Sequence, residues 1–230
     1  MRILAIETSG DWCGIAVGDG VQWHVRDEQA GQSHSERALL LVRLALADAG
    51  WGLASLDGIA FGAGPGSFTG VRIACGLAQG LAFGADLPVV PVPTLASLAH
   101  AVWSSTGREK IFACLDARMR EVYVAAYARQ GNAWREVLAA AVLPPSAVVA
   151  PDGTGWFGAG SGFALDATLA TQLRLVGADA SARPTARAAG ELALPRLAAG
   201  EGVSASAARP LYVRHRIALT TAEREAGVRL

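Results

Sequence analysis

Ile3-Leu-Ala-Ile-Glu-Thr-Ser-Gly-Asp-Trp-Cys-Gly-Ile-Ala-Val-Gly-Asp-Gly-Val-Gln-Trp-His-Val-Arg26 opens the chain and decides its fold class. Two short apolar runs, 2–8 and 12–18, are parted by Ser9, Gly10 and Asp11, and a third, 21–26, follows Asp19-Gly20. Asp-Gly between two such runs favours a tight hairpin, so the chain is expected to open as an antiparallel meander. Next, Ser33-His-Ser-Glu36 has the spacing of a capping box and predicts a helix to about residue 49, closed by Gly50. A strand over 57–62 then turns through Gly64-Pro-Gly-Ser67 into a second helix, 68 to about 83. Residues 88–92 read as a strand, and Thr94 as the N-cap of a third helix reaching about 103. Three meander strands ahead of these crossovers imply an α/β fold with a mixed sheet flanked by helices, not a plain doubly wound one.

The pattern starts again after Gly107. Strands over 111–116 and 122–128 flank a polar turn, and 134–138 offers a third. Residues 144–182, rich in Ala, Gly and Pro, carry no clear period. A helix is expected over about 185–199, with Pro195 kinking or ending it. Two subdomains of related design follow, 1–105 and 106–216, with 217–230 as a frayed tail.

The chain has 230 residues, of which 52% are apolar and 17% charged, which suits a compact core. Its 20 basic and 20 acidic side chains cancel, so no net field draws it to nucleic acid or to a membrane. The N-terminal apolar stretch stops at Glu7, too short for a signal core or a membrane span, and a cytoplasmic chain is expected. Cys13, Cys75 and Cys114 are widely spaced, with no Cys-x-x-Cys, and read as buried small hydrophobes.

Four segments stand together: Ile3-Leu-Ala-Ile-Glu-Thr-Ser9, Phe61-Gly-Ala-Gly-Pro-Gly-Ser-Phe-Thr-Gly-Val-Arg72, Asp116-Ala-Arg-Met-Arg-Glu-Val-Tyr123 and Arg209-Pro-Leu-Tyr-Val-Arg214. In that order they resemble the TsaB (YeaZ) family, over roughly residues 1–215. The resemblance implies a two-lobed fold of the actin-like ATPase/RNase H-like kind and a catalytic, metal-carrying paralogue, TsaD, as partner. With TsaE, an ATPase, that assembly moves a threonylcarbamoyl group from its adenylate to N6 of the adenosine just 3′ of the anticodon, in tRNAs reading codons that begin with A. The TsaB-like chain implied here is non-catalytic and takes no cofactor. It holds and activates TsaD, pairs with itself when alone, and meets tRNA only through the complex.

The residues agree with that division of labour. Where the related catalytic subunit has a His-x-x-x-His metal pair, this chain has Pro93-Thr-Leu-Ala-Ser-Leu98, and a leucine binds no metal. Gly64-x-Gly66 with Ser67 admits two readings, a phosphate loop or a tight turn with Ser67 as N-cap; it lacks the lysine of a P-loop, and the resemblance favours the turn. Glu7 and Asp11, a weak cation site at best, are expected on a hairpin surface. His34 is expected to be exposed at a helix start, and neither it nor His100 stands in a nucleophile motif. Arg209 to Arg216, with Tyr212 and His215, reads as an edge strand bearing solvated arginines. An independent actin-like ATPase, kinase or peptidase is the alternative reading.

The first helix is apolar on nearly every side except Arg43, so one sheet cannot cover it. Leu39, Val42 and Leu46 form one stripe and Leu40, Leu44 and Ala47 another; one is expected on the sheet and the other on a second subunit, and Leu39, Val42, Arg43 and Leu46, with Gly76, Gly80 and Gly84 of the second helix, are the residues expected to meet the partner. In the second helix Gly76, Gly80 and Gly84 recur every four residues. Each costs about 1 kcal/mol relative to alanine, an arrangement that favours close approach by a partner or by the helix's own sheet.

Overall fold

The computed structural model describes residues 1–31, 33–166 and 168–214. Ile3–Glu7 (β1) is buried along its whole length because it is the middle strand of five. Trp12–Gly18 (β2) pairs antiparallel to it and Trp23–Gln29 (β3) antiparallel to β2, as the opening meander requires. The third strand starts two residues later than its apolar run. Asp19 explains the shift: its carboxylate accepts the amides of Val21 and Gln22, which draws both into the turn.

His34–Ala49 (α1) leads to Gly58–Gly64 (β4), parallel to β1; Phe68–Ala85 (α2) leads to Val89–Pro93 (β5), parallel to β4. The order is β3-β2-β1-β4-β5. Gly50 closes α1 in the left-handed conformation, φ 68°. The capping box does not form: the Ser33 hydroxyl donates to the Ala30 carbonyl and makes no cap bond to α1. Thr94–Thr106 (α3) follows β5 directly, and Thr94 is its first helical residue, not its cap.

Lys110–Asp116 (β6), Val122–Gln130 (β7) and Ala133–Leu143 (β8) repeat the meander. Phe157–Ala159 (β9) and Ala178–Asp179 (β10) then add parallel strands, with the short helix Leu169–Gln172 (α4) between them. The second sheet runs β8-β7-β6-β9-β10, the strand order of the first. Two mixed sheets flanked by helices result.

Period-two alternation along β1 divides the first core. Leu4 and Ile6 face α1 and α2, through Ala38, Leu41, Val42 and Ala45 of the one and Ala74, Ala78 and Ala82 of the other. Ile3 and Ala5 face Ala186–Ala198 (α5), through Ala186, Ala189, Ala193 and Leu197. Helix α5 runs on three residues past Pro195 instead of ending there. The boundary at residue 105 therefore parts the sheets but not the layers, because α5 returns from the second half of the chain to close the first sheet. Helix α3 packs Leu95, Leu98 and Val102 on the second sheet, and the Ser97 hydroxyl donates to the Thr185 carbonyl just ahead of α5.

Residues 203–214 are no edge strand. They cross α2 as a strap: Val203 bridges Val89, the Gln79 amide donates to the Ala208 carbonyl, and the Leu211 amide donates to the Ala63 carbonyl. Arg214 then reaches the second lobe, donating to Glu121 (2.6 Å) and to the Ala117 carbonyl. His215, Arg216 and the tail assigned to 217–230 lie outside the described residues.

Candidate functional site

Gly66 and Gly70 lie against the β1–β2 turn. A β-carbon on Gly66 would strike Ser9, and one on Gly70 would strike the Thr8 carbonyl. Across that contact the Ser67 amide donates to the Ser9 carbonyl (2.7 Å) and the Thr8 hydroxyl to the Gly70 carbonyl (2.7 Å). The Ser67 hydroxyl accepts the Gly70 amide (3.3 Å) as N-cap of α2. The glycines thus serve close contact between two backbone segments, with the turn itself at the wall of the cleft between the lobes. Ser67→Ala is expected to cost about 1 kcal/mol in thermal or denaturant melts and to leave tRNA modification in a reconstituted assay unchanged.

Glu7 is not on the surface. It is 3% exposed, accepts the Ser9 amide on Oε1 (2.8 Å) and has no partner on Oε2 among the described residues. Gly62, across the sheet, leaves room for this carboxyl, since a β-carbon there would collide with it. Burial raises its pKa above the usual carboxylate range, against the opposing pull of Ser9 and Arg183. The folded chain thus holds this proton more tightly than the unfolded one. As pH rises from the ordinary carboxylate range through the folded value, stability is lost. Glu7→Gln is expected to flatten that decline and to equal or exceed the wild type at neutral pH. Denaturant melts from about pH 4 to about pH 8 check it; a variant weaker at neutral pH by more than about 1 kcal/mol would show Glu7 to be a stabilised anion.

His34 is buried, not exposed, and its Nε2 faces the Trp12 carbonyl at 3.3 Å. A carbonyl only accepts, so that nitrogen carries the hydrogen. His100 stands between the lobes. The Trp134 indole donates to its Nδ1 (3.0 Å), leaving Nε2–H to donate to Glu191 (3.0 Å), which also holds Arg187. Both rings tie elements together. Burial pushes the Cys13 thiol to about 11 and the Cys114 thiol to about 12, so neither supplies a thiolate near neutral pH.

The metal-pair positions are spent on the fold. Thr94 accepts the Gly64 amide through its hydroxyl (3.1 Å), and Leu98 is fully buried in the second core. Among the described residues no three His, Cys, Asp or Glu side chains gather as a metal site. A cleft of about 1070 Å³ separates the lobes, with Trp12 among its lining residues. Its lining arginines are already paired: Arg118 with Asp116 (3.2 Å), Arg183 with Asp27 (2.8 Å) and Arg214 with Glu121 (2.6 Å). A polyphosphate would find no free positive charge among them.

The outer face of α1 and α2 is different. Leu39, Leu40 and Leu44 are 50%, 39% and 40% exposed, and Phe83 is 82% exposed. Gly76, Gly80 and Gly84 also face outward, with nothing within 4 Å of where a β-carbon would stand, so they do not rest on their own sheet. Arg43 lies on this outer side. Val42 does not: at 2% exposed it packs in the core, and Leu46 leans on the same core. The outward stripe is Leu40, Leu44 and Ala47, joined by Leu39. Exposed leucines on α1 and open glycines on α2 thus share the outer side of the first lobe, an apolar surface left uncovered in the single chain.

A family model described as TsaD, tRNA N6-adenosine threonylcarbamoyltransferase, matches residues 25–209. The tRNA threonylcarbamoyladenosine biosynthesis protein TsaB of Escherichia coli is 36% identical over 223 residues, 95% of this chain and 96% of that protein. Its counterpart in Haemophilus influenzae is 37% identical over 227 residues, 94% and 95% of the two chains. The chain belongs to the TsaB (YeaZ) family. A solved Pseudomonas aeruginosa structure, described as similar to the peptidase YeaZ, shares 41% identity at a TM-score of 0.86 and covers 93% of this chain and 99% of its own. Membership in the TsaB family makes this a non-catalytic subunit, in keeping with Thr94 and Leu98 at the metal-pair positions. No helix among the described residues is long and apolar enough to cross a membrane.

Proposed function

We propose that this chain is the docking and activating subunit of a tRNA threonylcarbamoyladenosine complex, built on an actin-like frame whose own cleft has lost its chemistry. The observation that carries the reading is the outward row of Gly76, Gly80 and Gly84 beside exposed Leu39, Leu40 and Leu44. A lone chain gains nothing from three glycines in a helix, whereas a second subunit gains close dispersion contacts along the bare backbone. The TsaD-like catalytic subunit docks there, and TsaE joins the assembled pair. In its absence a second copy of this chain covers the same face. The tRNA is met through the complex, in keeping with a chain of zero net charge.

Co-purification with the endogenous TsaD-like protein and a reconstituted modification assay test this. Modification of tRNA is expected to need both chains, with neither sufficient. ATP or peptide hydrolysis by this chain alone, lost on changing Glu7 or Asp11, would sink the reading.

A further inference from the structure

The glycine row of α2 has a charged end. Counting back by four from Gly76 gives Arg72 and then Phe68, so 68, 72, 76, 80 and 84 form one ridge of the helix, inclined to its axis and turning about 40° at each step. The Arg72 guanidinium lies over the Phe68 ring, 3.6 Å from its centroid and 5.7 Å from that of Tyr212, and its Nε donates to the Tyr212 hydroxyl (2.9 Å). Two contacts thus fix its plane and leave Nη1 and Nη2 as a two-pronged donor. Arg209, carried by the strap, shares with Arg72 a shallow pocket of about 360 Å³ whose walls include Gly76, Gln79 and Tyr212. Nη1 of Arg209 donates to the Ser206 and Ala208 carbonyls, which anchors this second guanidinium too. Neither arginine forms an ion pair among the described residues, unlike the three arginines of the cleft.

Two like charges held at one pocket repel each other, and among the described residues no acid lines that pocket to offset them. We propose that this pocket is an acid-recognition subsite of the docking face, taking an Asp or Glu carboxylate from the catalytic subunit packed along the glycine row. The inference rests on the docking reading and names what selects the partner. A helix that follows the inclined ridge through Gly84, Gly80 and Gly76 next meets Arg72, and the planar fork binds a carboxylate through two parallel hydrogen bonds. Apolar packing sets contact along the row; the ion pair fixes direction and register.

Binding of the whole chain to the TsaD-like subunit, titrated at low and high salt, tests the subsite with Arg72→Glu, Arg72→Lys and Arg209→Ala, and with Gly80→Leu as interface control. Circular dichroism melts confirm folding. Arg72→Glu is expected to weaken binding by at least about tenfold and to flatten its salt dependence, with Arg72→Lys losing less because charge remains while the fork is gone. An acid-to-arginine change on the partner that restores binding of Arg72→Glu would identify the carboxylate. If the arginine variants bind as tightly as wild type while Gly80→Leu does not, the subsite is wrong and the docking face stands. If Gly80→Leu also binds normally, both are wrong. Saturable, Arg72-dependent binding of inorganic phosphate to the chain alone would make this a phosphoryl site and overturn the proposal. So would loss of self-association with partner binding intact.

Discussion

Gly80→Leu is expected to make the isolated chain more stable and its complex weaker, two effects of opposite sign from one side chain. In the free chain a β-carbon at Gly80 meets nothing within 4 Å, so the leucine enters without strain. Helix propensity then favours the variant by somewhat under 1 kcal/mol. In the complex the same side chain stands where two backbones should touch, and dispersion contacts on either side of it are lost as the helices part. Association should fall by at least tenfold, which needs only about 1.4 kcal/mol. Denaturant melts and a pull-down or titration with the TsaD-like subunit measure both signs on one preparation. A variant that is folded and binds as wild type would move the docking face elsewhere.

Val42→Glu is expected to fail for the other reason. Val42 is 2% exposed and packs among buried residues between α1 and the first sheet, where a carboxylate finds no cation. An uncompensated buried charge costs at least about 3 kcal/mol, a large part of the stability of an ordinary domain. The variant should be largely unfolded or sharply destabilised by circular dichroism, and its loss of binding would say nothing about the interface. Leu44→Glu, at a position 40% exposed, is the matched control: it should melt like the wild type and still lose the partner. A well-folded Val42→Glu chain that binds normally would contradict the placement of α1.

That contrast marks the limit of what helix periodicity reveals. The sequence of α1 shows two apolar stripes, but which one meets the sheet depends on how the helix is rotated about its axis. Leu39, Val42 and Leu46 satisfy the same spacing although Val42 is buried and Leu39 half exposed. The glycine row was legible because open glycine at four-residue spacing has few uses inside a monomer. Strands β9 and β10 were not, since Phe-Gly-Ala and Ala-Asp are too short to show alternation and are held by pairing, β9 to β6 and β10 to β9. Ser33 was misread because its hydroxyl had a second acceptor, the Ala30 carbonyl, in the preceding turn. Glu7 was misplaced because a charged residue at a strand end suggests a rim, while room at Gly62 across the sheet lets it turn inward.

The return of α5 to the first sheet sets a timetable for the nascent chain. Every strand of that sheet has been synthesised once Pro93 is added, yet Ile3, Ala5, Ala16 and Val92 stay uncovered until residues 186–198 follow. At ordinary translation speeds of about 5 to 20 residues per second, that delay is roughly 5 to 20 s. For its duration the amino-terminal half presents an apolar β-surface to chaperones and to other unfinished copies. A stop codon near residue 105 would make that exposure permanent, so the shortened product should aggregate even though it carries the whole first sheet with α1 and α2.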